Sequence, residues 1–163
     1  MELLKWLTST NLGEMFFTML VSMVPVIELR GGVPFGTALG LPAGQALVAA
    51  IIGNMIPIPF IIVYIRRIFL WMRRKSQKLN ALVDKLEKKA HLKGQKVSKY
   101  KYVGLWLFVA IPLPGTGAWT GALAAAFLDM PLRKALPSIF LGVVTAGLIM
   151  TFATGLVVAT VGG

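Results

Sequence analysis

Long uncharged, mostly apolar runs alternate with short charged interruptions along the chain. Residues 15–27, 31–65, 102–128 and 135–160 contain no Asp, Glu, Lys or Arg, the pattern of segments that a bilayer surrounds. The first run is too short to cross, because thirteen residues rise only ~20 Å as a helix against a hydrocarbon core of about 30 Å. It leads into Val24-Pro25-Val26-Ile27-Glu28-Leu29-Arg30-Gly31-Gly32-Val33-Pro34. There Pro25 and Pro34 each remove an amide donor and Gly31 and Gly32 add backbone freedom, so a continuous helix is not expected. The economical reading is a re-entrant hairpin over 14–44 whose tip is Glu28 to Pro34. Its return limb carries Gly32, Gly36, Gly40 and Gly44 at every fourth position, a bare face for close approach to a neighbouring helix. Residues 46–65 are uncharged and end at Arg66 and Arg67, which predicts a transmembrane helix over 45–72 with its basic end in the cytoplasm. Within it Asn54 either faces a polar cavity or, the commoner case, bonds a neighbouring helix.

Residues 102–128 are long enough to span, yet Lys99 and Lys101 precede them while Arg133 and Lys134 follow, so charge bias puts both ends on the cytoplasmic side. The centre, Ile111-Pro112-Leu113-Pro114-Gly115-Thr116-Gly117, is also a poor helix. A second re-entrant hairpin over 102–130, broken at Pro112, Pro114, Gly115 and Gly117, satisfies both facts, and a last transmembrane helix covers 131–161. Shifting the chain by 89 residues aligns Pro25 with Pro114, Gly32 with Gly121, Leu39 with Leu128, Pro42 with Pro131, Ala46 with Ala135, Leu47 with Leu136 and Gly53 with Gly142. Hairpin then span thus occurs twice, once from each side, a plan by which many secondary transporters build a site near the midplane. The expected fold is an all-α integral membrane protein forming a single membrane domain over 1–163. It consists of two inverted-topology repeats, each a re-entrant helical hairpin followed by a transmembrane helix, with a basic amphipathic cytoplasmic segment over 73–101 between them. An interfacial helix over 1–13, with Trp6 at headgroup level, precedes the first hairpin.

Composition excludes several classes of function. With 56% hydrophobic residues and a mean hydropathy of +0.76, the chain is too apolar for a soluble domain. The net charge of +11 is local, since residues 66–101 hold thirteen Lys or Arg against Asp84 and Glu87 and the remainder cancels. Between two hydrophobic spans, the positive-inside rule and attraction to anionic lipid headgroups account for that block. Nucleic acid is therefore not expected as a partner. Residues 78–96 read as an amphipathic helix on the inner leaflet, with Leu79, Leu82, Val83 and Leu86 on one face. The basic segment 66–101 is expected in the cytoplasm and the protein in the inner (plasma) membrane. There is no cysteine, and the single histidine, His91, lies in the basic segment, so neither a thiol catalyst nor a metal-ligand cluster is available. No enzymatic activity, metal or cofactor is expected. Glu2 and Glu14 interrupt the order of a cleaved signal, so the N-terminal segment is expected to be retained.

Glu28 and Arg30 are islands of charge where charge is expensive, and this makes them the candidate site. Two apart in an unwound tip, they are expected to face one cavity together. Arg30 suits an anionic headgroup, its planar fork matching phosphate or carboxylate, and the amides of Gly31 and Gly32 add positive dipole to the same place. Glu28 either neutralises Arg30 in the empty site or takes a proton and couples transport to a proton gradient, and a purely structural ion pair is the alternative. Thr116, Trp119 and Thr120 are expected to line the opposite wall.

The stretches Pro25 to Pro34 and Pro112 to Gly121 together resemble the paired signature of the small multi-drug export protein family, which is similar to the wider DedA (SNARE-associated, VTT-domain) superfamily. The resemblance implies two membrane-embedded hairpins facing each other and a role in moving lipids or amphiphiles across the bilayer. It also implies links to recycling of the polyprenyl phosphate carrier, to proton-gradient dependence and to drug tolerance. Glu28 corresponds to the acidic residue of the first DedA hairpin, whereas the arginine usual in the second has no counterpart in Thr116 to Gly121. The first expectation is a proton-coupled flippase for an anionic lipid phosphate. Proton-coupled export of cationic drugs, phospholipid scrambling and a non-transporting membrane scaffold are the alternatives. Membrane lipids and the amphiphile are the expected partners, and the glycine faces pack either within one chain or across a homo-oligomer.

Overall fold

The structure, a computed structural model, describes residues 10–94, 100–113 and 115–161. Among them it is all helical: α1 (Asn11–Met23), α2 (Glu28–Leu39), α3 (Ala43–Met55), α4 (Pro57–Lys75), α5 (Gln77–Gly94), α6 (Lys101–Ala110), α7 (Ala118–Phe127) and α8 (Leu132–Val161). Thr10 starts α1, its hydroxyl accepting the Gly13 amide at 3.1 Å. Residues 11–13 therefore belong to the first hairpin and not to an interfacial helix, whose remaining positions, Trp6 included, lie outside the described residues.

The expected break over 28–34 is displaced. Pro25 lies in the turn that links α1 to α2, with Val26 at φ 80° and Glu28 at φ 50°, while Gly31, Gly32 and Pro34 sit inside α2. Packing overrides the local signal of Pro34 here. A Cβ at Gly32 would collide with the Ser22 hydroxyl, and one at Gly36 would lie 2.8 Å from Thr18 Oγ1 and 2.9 Å from Ala46 Cβ. These contacts hold α2 against α1 and α3 as a helix. The Thr37 hydroxyl, donating to the Pro34 carbonyl at 2.9 Å, ties the turn beyond the proline. The glycine face ends at Gly36. Gly40, at φ 111°, closes α2, with the Leu41 amide on the Gly36 carbonyl at 3.1 Å, and Gly44 meets nothing within 4 Å.

α3 and α4 stack end to end across Ile56, whose amide still reaches the Ile52 carbonyl at 3.1 Å, and form one apolar length of 33 residues, Ala43–Lys75. The second long apolar helix is Leu132–Thr160. By contrast the hairpin limbs α1, α2, α6 and α7 have 13, 12, 10 and 10 residues, or about 15–20 Å each, too short to cross. The amphipathic helix expected over 78–96 runs over Gln77–Gly94, with residues 95 and 96 outside the described ones. It folds back on α4 through Arg73, which pairs with Asp84 at 2.6 Å and donates to Asn80 at 3.0 Å, and it buries Val83.

Each hairpin returns to the end of the molecule from which it set out. Asn11 donates to Gln45 at 2.7 Å, joining the starts of α1 and α3. At the other end the Lys101 and Lys134 ammonium groups lie 5.4 and 5.5 Å from the Tyr102 ring, joining the starts of α6 and α8. The 89-residue shift that aligns the sequence halves also carries α1 onto α6, α2 onto α7 and α3 onto the first part of α8. It carries the left-handed Gly40 onto the left-handed Asp129. Gly53 and Gly142, also equivalent, each lie against a backbone carbonyl of the first limb of their own hairpin, Met19 and Trp106.

The core is built of small side chains, among them Ala50, Ala118, Ala122, Ala125 and Ala146, filled in by Leu29, Val33, Ile58, Ile139 and Val143. Large apolar groups face outward instead: Phe152 is 73% exposed, and Leu156, Val157 and Val158 are more than half exposed. Such a surface accords with a hydrocarbon surround, and two of the helices are long and apolar enough to cross a membrane.

The glycine contacts set a paired test. Gly53→Ala is expected to destabilise the protein by about 1–3 kcal/mol, because its methyl meets a carbonyl of α1 that has no room to move. Gly44→Ala should leave stability unchanged or raise it by up to ~1 kcal/mol. Thermal unfolding of the two variants in one detergent measures both.

Candidate functional site

The turns of the two hairpins meet inside the molecule, and the charges of α2 are the means by which they meet. Glu28 is 5% exposed and its carboxylate enters the opposite hairpin. Oε1 accepts the Trp119 amide at 3.1 Å, and the Ala118 amide also points at the carboxylate. These are the first two amides of α7, where no intrahelical acceptor exists and where the helix dipole favours an anion. Gly117 makes the seat, since a Cβ there would lie 2.7 Å from Glu28 Cδ, and its φ of 135° independently requires glycine. The 89-residue shift carries Glu28 onto Gly117. The carboxylate thus fills the space left bare at its own equivalent position.

Arg30 does the converse. One terminal nitrogen donates to the Leu113 carbonyl at 2.8 Å and to the Thr116 carbonyl. The other donates to the Ile111 carbonyl at 3.0 Å and to the Thr116 hydroxyl at 2.9 Å. Ile111 caps the C-terminal end of α6, and a cation there meets the negative end of the dipole. The Thr116 hydroxyl lies 2.7 Å from the Ile111 carbonyl and 2.8 Å from that of Leu113, so it organises the cradle that the guanidinium fills.

Several expectations change with this geometry. Glu28 and Arg30 make no direct ion pair with each other; both reach the same stretch of the opposite hairpin, Glu28 the start of α7 and Arg30 the turn before it. The Gly31 amide donates to Ile27 at 3.0 Å, and Gly32 lies in the second turn of α2 packed on Ser22, so neither amide faces a ligand. Pro112, Gly115 and Gly117 do lie in the second turn; Pro114 lies outside the described residues. Trp119 serves through its backbone while its buried indole Nε1 has no partner, and the Thr120 hydroxyl turns back to the Gly117 carbonyl at 3.3 Å. Asn54 bonds no neighbouring helix, its two amide atoms being buried and unpartnered. The carbonyls of Ile111 and Leu113 were not visible as candidates, since side-chain chemistry says nothing about which backbone atoms a broken helix frees.

Residues 28–149 match the family described as "Putative small multi-drug export protein". The chain belongs to this family. Its name describes export, the work of a membrane transporter. The part of this small multi-drug export family member that matches starts at Glu28 itself and takes in both charged residues, both turns of the second repeat and most of α8. No curated protein and no solved structure matches the chain.

A double-mutant cycle tests the seat. Gly117→Ala is expected to destabilise the protein, and Glu28→Ala to relieve the collision, so that unfolding of the single and double variants yields a coupling of about 1–3 kcal/mol.

Proposed function

We propose that this protein is a proton-coupled transporter of an anionic amphiphile of the lipid-phosphate type, working through two re-entrant hairpins that face each other from opposite sides of the bilayer. One face of α2 carries the reading. Arg30, Pro34, Thr37 and Ala38 follow one another along it, and the last three line an apolar groove of about 380 Å³ with Met150, Ala153 and Val157 of α8. A guanidinium carried one helical turn from an apolar groove on the same face of α2 supports a ligand with a charged head and a hydrocarbon tail.

Phosphate or carboxylate oxygens compete for the guanidinium with the carbonyls of Ile111, Leu113 and Thr116, and charge-assisted bonds are the stronger. Protonation of Glu28 removes its attraction to the start of α7 and one of its acceptor sites, which loosens the turns and frees Arg30. Substrate and proton then act on one contact from its two charged sides. The DedA-like reading of the motifs supports the same substrate class. A second reading has its own observation. The carbonyl cradle already holds an organic cation, that of Arg30, and a cationic drug that displaces it, with Glu28 as counter-charge, accords with the family's name.

Translocation in proteoliposomes with and without an imposed proton gradient separates the two. Polyprenyl phosphate is expected to move in a gradient-dependent way, with flux reduced about tenfold or more by Glu28→Gln and by Arg30→Ala, a charge-assisted hydrogen bond being worth ~1.5–3 kcal/mol. Movement of a cationic dye and not of the lipid phosphate favours the second reading. Well-folded variants that lose flux rule out a scaffold. The topology has its own check: a cysteine at Thr37 should label from outside and one at Lys134 from inside, and labelling of both from one side overturns the inverted repeat.

A further inference from the structure

Asn54 is fully buried, and neither its amide nitrogen nor its amide oxygen has a partner among the described residues. A primary amide held dry in a protein interior is unfavourable, so its atoms point to something that completes them. One packing register locates it. α2 and α3 run antiparallel, with a Cβ at Gly36 reaching 2.9 Å from Ala46 and one at Gly32 reaching 3.4 Å from Ala50. One more four-residue step along both helices sets Glu28 opposite Asn54. The carboxylate of Glu28 is in turn seated at Gly117, at the start of α7.

The charged group facing Glu28 at that level is Arg30, on α2 itself. α3 and α7 carry no titratable side chain. Those of α1 and α8, Glu14 and the pair Arg133 and Lys134, lie at the ends of the molecule, and before residue 66 α4 has only Tyr64, which is 52% exposed. Asn54 presents a donor and an acceptor together. A metal cation would serve the oxygen alone and an anion the nitrogen alone, whereas a water molecule serves both and still has a hydrogen for a carboxylate.

We propose that Asn54 holds a buried water molecule against the Glu28 carboxylate, and that this water passes protons to and from Glu28. The proposal rests on the proton role given to Glu28 above. In loading, a proton leaves a hydronium ion at Asn54 for a Glu28 oxygen, forming the carboxylic acid and leaving water. In unloading, that O–H bond breaks and the proton returns to the water, which hands it on as hydronium. Asn54 is thus a positioning residue acting through the water it binds.

Infrared difference spectra between acid and neutral pH, taken on the intact protein in lipid, test this without any substrate. The wild-type protein is expected to show a carboxylic acid C=O band that Glu28→Gln removes. It should also show a water O–H band that shifts when the solvent is labelled with heavy oxygen. Asn54→Leu, of similar size, should lose the water band, shift the C=O band and slow gradient-driven flux at least about tenfold, and Asn54→Ser, which keeps a hydroxyl for water, should restore part of each. Persistence of the water band in Asn54→Leu overturns the proposal while the proton role of Glu28 stands. Loss of the C=O band on adding sodium, with no water band, assigns the site to a cation and also overturns it. A wild-type spectrum with no C=O band overturns this proposal and the proton role together.

Discussion

A buried acid and a half-buried base, each satisfied by the helix ends of the other hairpin, organise the centre of this protein. Glu28 takes the free amides at the start of α7, and Arg30 takes the free carbonyls where α6 stops. A charge in an apolar interior is unfavourable unless hydrogen bonds replace its hydration, and a helix end left in the same interior is unfavourable for the same reason. Bringing the two problems together solves both. The second hairpin has to be broken at this depth, because only a broken helix exposes amides and carbonyls where the charges stand. The left-handed backbone of Glu28 fits the same constraint, as strain accepted where surrounding contacts determine the position.

Small residues allow the turns to reach one another. The limbs of the hairpins are too short to span and must be held by neighbours, and in hydrocarbon that holding comes from close contact and not from exclusion of water. Gly32, Gly53, Gly121 and Gly142 each stand where a Cβ would strike a neighbouring helix. The two long helices serve as the frame for these contacts and present Phe152, Leu156 and Val157 to the surround.

Much of the architecture was legible in the run lengths of uncharged residues and in the two places where those runs contain proline and glycine. The 89-residue shift between the halves was legible too, and it carries the helices of the first half onto those of the second in order. Pro34 misled because the pull of a proline on its own turn is local, whereas the contacts of Gly32 and Gly36 with α1 and α3 are not. For the site, charge in an apolar context singled out Glu28 and Arg30, and the structure places both in hydrogen bonds with the opposite hairpin. Their partners were hidden, since Ile111, Leu113 and Trp119 contribute backbone atoms that no residue type advertises. Asn54 looked like an ordinary interhelical bond because one amide in a helix says nothing of what lies across from it.

The equivalence of Glu28 and Gly117 limits how alike the two halves can become. Were this protein assembled from two identical half-chains, the axis between them would bring either two carboxylates into a space that holds one, or two bare positions with nothing to fill them. One half has to be hollow for the other to be filled. Carrying both halves on a single chain removes that conflict, since each position is then free to hold a different residue, and it also fixes which half is which: the acid always belongs to the first hairpin and the socket to the second.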